Sequence, residues 1–281
     1  SPQYGTIKSS ENYERRFIMT FPNETLPKGR KQKTTSLYDR FINQGAVMGD
    51  SFGLENVLWF ANNKEDAHED PTIKRSRSHD YVSKEVINVR ENVGLIEVAN
   101  FAKHEFKGPE AGKFLDHILA GKLPKPGRIS LSPMLTYRGK LYGDLTVACL
   151  GENEFIVFGS GAAQEMHRRW FENHLSKFKV QYKNRSDEFH GISIAGPNSR
   201  KVLEKIVREN VSNEKFKFRD SRRMFVGGVP AIINRISFTG ELGYEIYVAP
   251  HYQLKLFEEI MEAGKEFDIK PFGGRALISM R

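Results

Sequence analysis

Cysteine is almost absent from this chain. Cys149 is its only one in 281 residues, so no internal disulfide can form, and its place in the apolar run 145–150 marks a buried structural thiol. A reducing compartment follows from that usage. No apolar run approaches about 18 residues, which excludes a membrane-spanning helix. The opening Ser1-Pro-Gln-Tyr has the character of neither a signal peptide nor an amphipathic transit segment. None of the eight histidines forms an i, i+4 pair around a glutamate, and one cysteine builds no zinc cluster at the usual spacings, so no metal is expected. There is no dinucleotide fingerprint. Gly159-Ser-Gly161 lacks the glycine, lysine and serine of a phosphate loop and reads as a strand-to-helix turn. Gly191-Ile-Ser-Ile-Ala-Gly196 is one residue too long for a nucleophile elbow, and Pro197 after it suits a helix start, which leaves Ser193 as a strand residue.

What is present is ordinary in bulk: 39% hydrophobic and 28% charged residues, the balance of a globular chain able to bury a core as one large domain or two joined ones. The net charge of +8 suits nucleic acid, an anionic surface or a small polyanion, and distribution has to choose. The densest basic patches, 28–33 and 74–77, lie in poorly periodic sequence where a solvated surface is the preferred reading, so neither nucleic acid nor membrane is expected as a partner.

Residues 1–83 carry many turn formers and little periodicity, and read as an extended leader with few regular elements. From Lys84 the pattern tightens. It predicts a helix over 84–93, a strand over 94–101, and a helix over 108–120 with Pro109 near its first turn. Two strands flank a turn at 138–140, followed by a strand over 155–158 and a helix over about 162–178. The same succession then recurs. Gly108-Pro-Glu-Ala-Gly-Lys-Phe-Leu matches Gly196-Pro-Asn-Ser-Arg-Lys-Val-Leu (196 against 108), and Gly151-Glu-Asn-Glu-Phe matches Gly240-Glu-Leu-Gly-Tyr (240 against 151). An internal duplication explains both. The expected class is α+β, two related halves (about 84–178 and 179–281) with mostly antiparallel sheets and flanking helices. A short helix beginning near Gly274 as the chain stops at Arg281 suggests a missing C-terminal portion.

Two segments are sharper. In the hairpin from Met134 to Val147 an acid, Asp144, opens an apolar strand; taken alone, such an acid is usually a strand-end turn residue. In Arg235-Ile-Ser-Phe-Thr-Gly-Glu-Leu-Gly-Tyr-Glu-Ile-Tyr-Val, Glu245 lies inside an apolar, aromatic strand, where a carboxylate needs a basic partner or a ligand with paired donors.

Together with Val93-Gly-Leu-Ile-Glu-Val, Ile194-Ala-Gly-Pro and Arg275-Ala-Leu-Ile-Ser-Met-Arg, these segments resemble, over nearly the whole chain, the folate-binding region of the glycine-cleavage aminomethyltransferase (T-protein) superfamily. The branch most similar is that of the dimethylglycine and sarcosine dehydrogenases, on Met134-Leu-Thr-Tyr-Arg-Gly-Lys, Gly159-Ser-Gly161 and the leader Phe21-Pro-Asn-Glu-Thr-Leu-Pro-Lys-Gly-Arg. The resemblance implies the T-protein fold, a flavin domain in cis before Ser1 that alone would hold FAD, and a small C-terminal barrel after Arg281. It implies that the chain binds tetrahydrofolate and captures the one-carbon unit of an N-methyl amine as 5,10-methylenetetrahydrofolate, in the bacterial cytoplasm or the mitochondrial matrix.

The family's catalytic aspartate maps to Asp144, which would stabilise positive charge as a nitrogen attacks an iminium or formaldehyde carbon. Its pterin-holding glutamate maps to Glu245, with Phe238, Met134, Leu135 and Arg235 as further folate-contacting positions. Departures are visible. Phe238 stands where a tyrosine is common, and Leu131 and Ala148 replace tyrosines of the glycine-cleavage enzyme. Gly143 stands for the first of two adjacent aspartates, and Ile278 for an acid of the terminal helix. These favour the dehydrogenase branch. The alternatives at this stage are a stand-alone folate-dependent aminomethyltransferase or demethylase, separated by the presence or absence of upstream flavin sequence, and a non-catalytic folate-fold accessory protein, whose branch carries a cysteine motif missing here.

Overall fold

Glycine turns and alternating apolar residues divide the chain into short elements, seen in a computed structural model that describes residues 2–22 and 24–281. In order they are α1 (Pro2–Glu14), α2 (Tyr38–Asn43), β1 (Ala46–Ser51), β2 (Leu54–Phe60), α3 (Ser78–Glu91), β3 (Gly94–Glu97), β4 (Ala102–Lys107) and α4 (Ala111–Ile118). There follow β5 (Arg128–Leu135), β6 (Leu141–Gly151), β7 (Glu154–Gly159), α5 (Gln164–Leu175), β8 (Gln181–Asn184), β9 (His190–Ala195) and α6 (Ser199–Ile206). The chain closes with β10 (Ser221–Val226), β11 (Val229–Asn234), β12 (Gly243–Val248), α7 (Gln253–Gly264), β13 (Lys270–Pro271) and α8 (Gly274–Ser279).

The duplication is written into the topology. One sheet runs β5-β6-β7-β4-β8, the other β10-β11-β12-β9-β3-β13. The second order is the first with each strand replaced by its repeat partner, plus β3 inserted between β9 and β13. Helices α4 and α6 correspond, as do α5 and α7. The Gly-Pro turns before α4 and α6 share one conformation, with Gly108 at φ 134° and Gly196 at φ 128°. A Cβ at Gly108 would lie 2.8 Å from the Lys179 carbonyl oxygen and one at Gly196 2.5 Å from that of Val89, so both turns require glycine for handedness and for space. Pro109 sits in this turn, two residues ahead of α4.

Each sheet buries both faces. On the outer face of the first, α4 and α5 supply Phe114, Leu115 and Phe171 against Leu145, Val147 and Cys149 of β6. On the outer face of the second, α6 and α7 supply Leu203, Leu256 and Phe257 against Ile194, Ile233 and Tyr244. The inner faces meet through Ile129, Ala148, Ile156 and Phe158 on one side and Ile96, Val98, Ile232 and Tyr247 on the other. Strand β9, central and covered on both faces, is buried at every residue, which is why it shows no alternation. The two sheets are stitched along one edge, where Ser221 N donates to Gly127 O at 2.9 Å, Ile129 N donates to Arg219 O at 2.8 Å, and Arg128 pairs with Asp220.

The N-terminal stretch differs from its expectation. Residues 1–83, expected to hold few regular elements, contain α1, α2, the β1–β2 hairpin and the start of α3. They also contribute to the core: Leu37 and Phe41 pack in the second-half core, with Phe41 edge-on to Phe257 at 5.6 Å between ring centres, and Trp59 is fully buried between the halves. The hairpin escaped notice because its turn, Phe52-Gly53, has both residues at positive φ (53° and 89°) without the asparagine or aspartate that normally announces that turn. Strand β4 lies outside every expected element, and β3, expected to run to 101, ends at Glu97. Cys149 is buried, Ser193 lies on β9, and Gly159-Ser-Gly161 is a strand-to-helix turn.

Candidate active site

Strand parity decides which side chains reach the space between the sheets. In β12 the residues 244, 246 and 248 enter the second-half core, so Glu245 and Tyr247 face the other way. In β6 the residues 145, 147 and 149 enter the first-half core, and Asp144, Thr146 and Ala148 face the second sheet. Between the sheets a cavity of about 400 Å³ opens, lined by Asp144, Thr146, Glu245 and Tyr247. Leu131, Phe158, Phe218 and Phe238 form apolar walls, and the 159–162 turn, Phe52 and Arg281 form the rest of the rim. Its size lies in the range of small-molecule sites.

The two carboxylates differ. Asp144 is exposed and makes no hydrogen bond or ion pair with any described residue. Glu245 is half-buried and lines the cavity, and the Tyr247 hydroxyl donates to its Oε2 at 2.8 Å. Burial pushes the Glu245 carboxyl up to about 7, against the lowering effects of that hydrogen bond and of the Lys103 charge. A carboxylate has about four acceptor positions; Tyr247 takes one, and both oxygens remain able to accept from a ligand. Phe238 forms one wall, with the Arg281 guanidinium 4.2 Å from its ring centre. The cavity therefore offers apolar aromatic walls, a partly buried carboxylate acceptor and a second, unengaged carboxylate on the opposite sheet. Among the described residues no group of three or more His, Cys, Asp or Glu side chains is placed to hold a metal ion.

Of the six positions singled out from the sequence, Asp144, Glu245 and Phe238 meet in this cavity and three do not line it. Met134 is opposite Gly143 in the β5–β6 register, with the wrong parity, and is fully buried in the first-half core. Leu135, past the irregularity at 134/135, is partly exposed beyond the cavity's edge. Arg235 points into the 213–216 loop, donating through Nη2 to Asn213 Oδ1 at 2.6 Å and through Nη1 to the Phe216 carbonyl. It thereby braces the segment that carries Phe218. Gly143 has a local reason: a Cβ there would lie 2.8 Å from Nε2 of the buried His167, so an aspartate at this position requires that ring to move.

Tyr247 was missed in the sequence, although the i+2 spacing from Glu245 on one strand face was the available signal. Phe52 had no signal. Its ring is 78% exposed, its backbone sits in the left-handed region at φ 53°, and it lines the cavity. An aromatic residue held there costs on the order of 1 kcal/mol or more, so Phe52→Asn, which restores a favoured Asn-Gly turn, is expected to raise unfolding free energy by about 1 kcal/mol. The same change removes an aromatic ring from the cavity's rim and is expected to weaken binding of any ligand held there. Urea denaturation beside a binding titration checks both, and lower stability of the variant would contradict the assignment of strain.

Residues 37–281 match the GCVT N-terminal domain family, and the chain belongs to that family. It is 35% identical over 283 residues to the mitochondrial dimethylglycine dehydrogenase of Mus musculus, an alignment covering 99% of this chain and 32% of that one. It is 30% identical over 196 residues to an aminomethyltransferase of Thermoanaerobacter pseudethanolicus, covering 69% of this chain and 53% of that protein. With sarcosine oxidase subunit alpha of Rhizobium meliloti the figures are 31% over 262 residues, 89% and 25%. The chain thus spans about a third of the length of the dehydrogenases it matches. The fold is that of the glycine cleavage system aminomethyltransferase T from Bartonella henselae, at TM-score 0.74 and 22% identity over 89% of this chain and 62% of that one. No described helix is long and apolar enough to cross a membrane.

Proposed function

We propose that the cavity binds a reduced folate and that the chain is the one-carbon-accepting module of a dimethylglycine dehydrogenase-like enzyme, with the product 5,10-methylenetetrahydrofolate. The observation that carries this is the convergence of Glu245 and Asp144, from non-equivalent strands of the two repeats, on one aromatic-walled cavity. The repeat position equivalent to Glu245 is Ile156, buried between the sheets, so the duplication has been broken where the chemistry is placed.

A pterin's amino group and neighbouring N–H present two parallel donors, which match two carboxylate oxygens in an aromatic-walled cavity. Phe238 offers its face to the ring. Asp144, on the opposite wall, is placed to stabilise positive charge that develops as a nitrogen attacks an electrophilic one-carbon unit. The names and lengths of the relatives support a flavin domain in cis, which would supply the oxidation, and a further C-terminal domain. In the same reading residues 1–83 form the connection to that flavin domain and 84–281 the duplicated folate-binding unit, located in the bacterial cytoplasm or mitochondrial matrix. Calorimetric titration with 5-formyltetrahydrofolate is expected to show saturable one-to-one binding. A folded chain that takes up none of it rules out folate recognition by this cavity.

A further inference from the structure

Lys103 is fully buried on β4 and does not line the cavity. Its backbone N donates to Ser186 Oγ at 2.9 Å, and its ammonium donates to the Ala99 carbonyl at 2.8 Å. The same ammonium lies 5.9 Å from the centre of the Tyr247 ring, and it forms no ion pair among the described residues. A buried cation with one neutral acceptor is expensive to keep charged, and burial accordingly pushes Lys103 down to about 7.

The charged and titratable groups that face it come from every side. Glu97 belongs to β3, Glu245 and Tyr247 to β12, and His190 to β9, while the Lys33–Asp187 ion pair lies toward the surface. Glu97 is already held by Thr35 and Gln253, and Gln253 in turn accepts from Ser36 Oγ at 2.8 Å and contacts His190 Nδ1 at 3.1 Å. Glu245 is held only by Tyr247, with its remaining acceptor positions open to the cavity. Lys103 thus lies against the aromatic ring whose hydroxyl orients the site carboxylate, outside the residues that line the cavity.

We propose that Lys103 is a positioning residue for the ligand: its buried ammonium, acting across the Tyr247 ring, favours the ionised form of the Glu245 carboxylate, in which both oxygens accept N–H donors from the cavity. This rests on the folate reading for the identity of the ligand, not for the coupling itself. A protonated Glu245 would present one acceptor and one donor, a mismatch with two parallel donors. Because the charge acts through a low-dielectric wall and not by contact, losing it should move the titration of Glu245 and leave its position unchanged.

The test is Lys103→Met, with the Glu245 side-chain carboxyl followed by carbon-13 resonance through a pH titration of the unliganded protein and assigned by its loss in Glu245→Gln. The expected midpoint rises by about one pH unit or more, which corresponds to about tenfold less ionised carboxylate below it. Affinity for 5-formyltetrahydrofolate should then fall about fivefold near pH 7, approach a tenfold loss below it, and recover as the pH is raised toward 9. An unchanged midpoint, or a weakening of equal size at every pH, overturns the proposal and leaves Lys103 a packing residue. Should Lys103→Met fail to fold, Lys103→Gln decides: a neutral side chain still able to donate to the Ala99 carbonyl should raise the Glu245 midpoint in the same direction, and no movement overturns the proposal equally. The unliganded titration is independent of folate, so wild-type protein that does not bind 5-formyltetrahydrofolate removes the functional reading and leaves the resonance result standing.

Discussion

Glu245→Gln is expected to weaken binding of 5-formyltetrahydrofolate by roughly 10- to 100-fold at pH 8. The size follows from geometry: a glutamine offers one acceptor oxygen and turns an N–H₂ toward the second ligand donor, leaving that donor unpaired in the cavity. An unsatisfied buried donor costs about 1–3 kcal/mol, and each 1.4 kcal/mol is about a factor of ten. Burial pushes the wild-type carboxyl up to about 7, so the contrast with glutamine, which does not titrate, should be largest above that value and shrink below it. Calorimetry at pH 6 and pH 8 measures both numbers. Equal affinities of wild type and variant at pH 8 would remove Glu245 from ligand recognition.

Asp144→Asn should separate binding from transfer. Asp144 is exposed on the opposite wall and engages no described residue, so the substitution should leave stability and 5-formyltetrahydrofolate affinity within about twofold. Preorganised groups aimed at developing charge are worth about 10²–10³-fold in rate, and a loss of about 10²-fold in methylenetetrahydrofolate formation is expected. In the proposed polypeptide with a flavin domain in cis, reduction of the flavin by the amine should be unchanged while one-carbon units escape as formaldehyde. Undiminished transfer in the variant would exclude Asp144 from the chemistry.

Most of the architecture was legible in the residues because its signals were local. The Gly-Pro turns at 108 and 196 need glycine for a positive φ, and they recur with the helices that follow them, so the repeat could be counted before its strands were paired. The parity of β12 placed Glu245 opposite its apolar neighbours, which is why it stood out as a carboxylate in need of a partner. Asp144 was less distinctive, and only the resemblance to the family lifted it above an ordinary strand-end acid.

The placements that the sequence did not give share a physical cause. Phe52 sits in a turn that sequence rules assign to asparagine or glycine, so nothing local marks the β1–β2 hairpin. Met134 and Leu135 belong to the motif that carries the resemblance, yet a pleated strand sends one of them into the helix-covered core and the other past the cavity's edge. Arg235 braces a loop, a role set by where Asn213 and Phe216 happen to lie. Lys103 is one of many lysines in a basic chain, and only its enclosure distinguishes it.

By itself the sequence determined the duplicated α+β plan, the family, the lack of a disulfide and the two carboxylates offered as candidates, since turn chemistry, strand period and motif order are properties of neighbouring residues. The tertiary structure decided that those carboxylates share one cavity, that the N-terminal stretch completes the core, and that a buried ammonium lies against Tyr247. Each of these depends on the face-to-face packing of two sheets whose contacting residues lie far apart along the chain, and on the low dielectric that this packing creates, which no local pattern encodes.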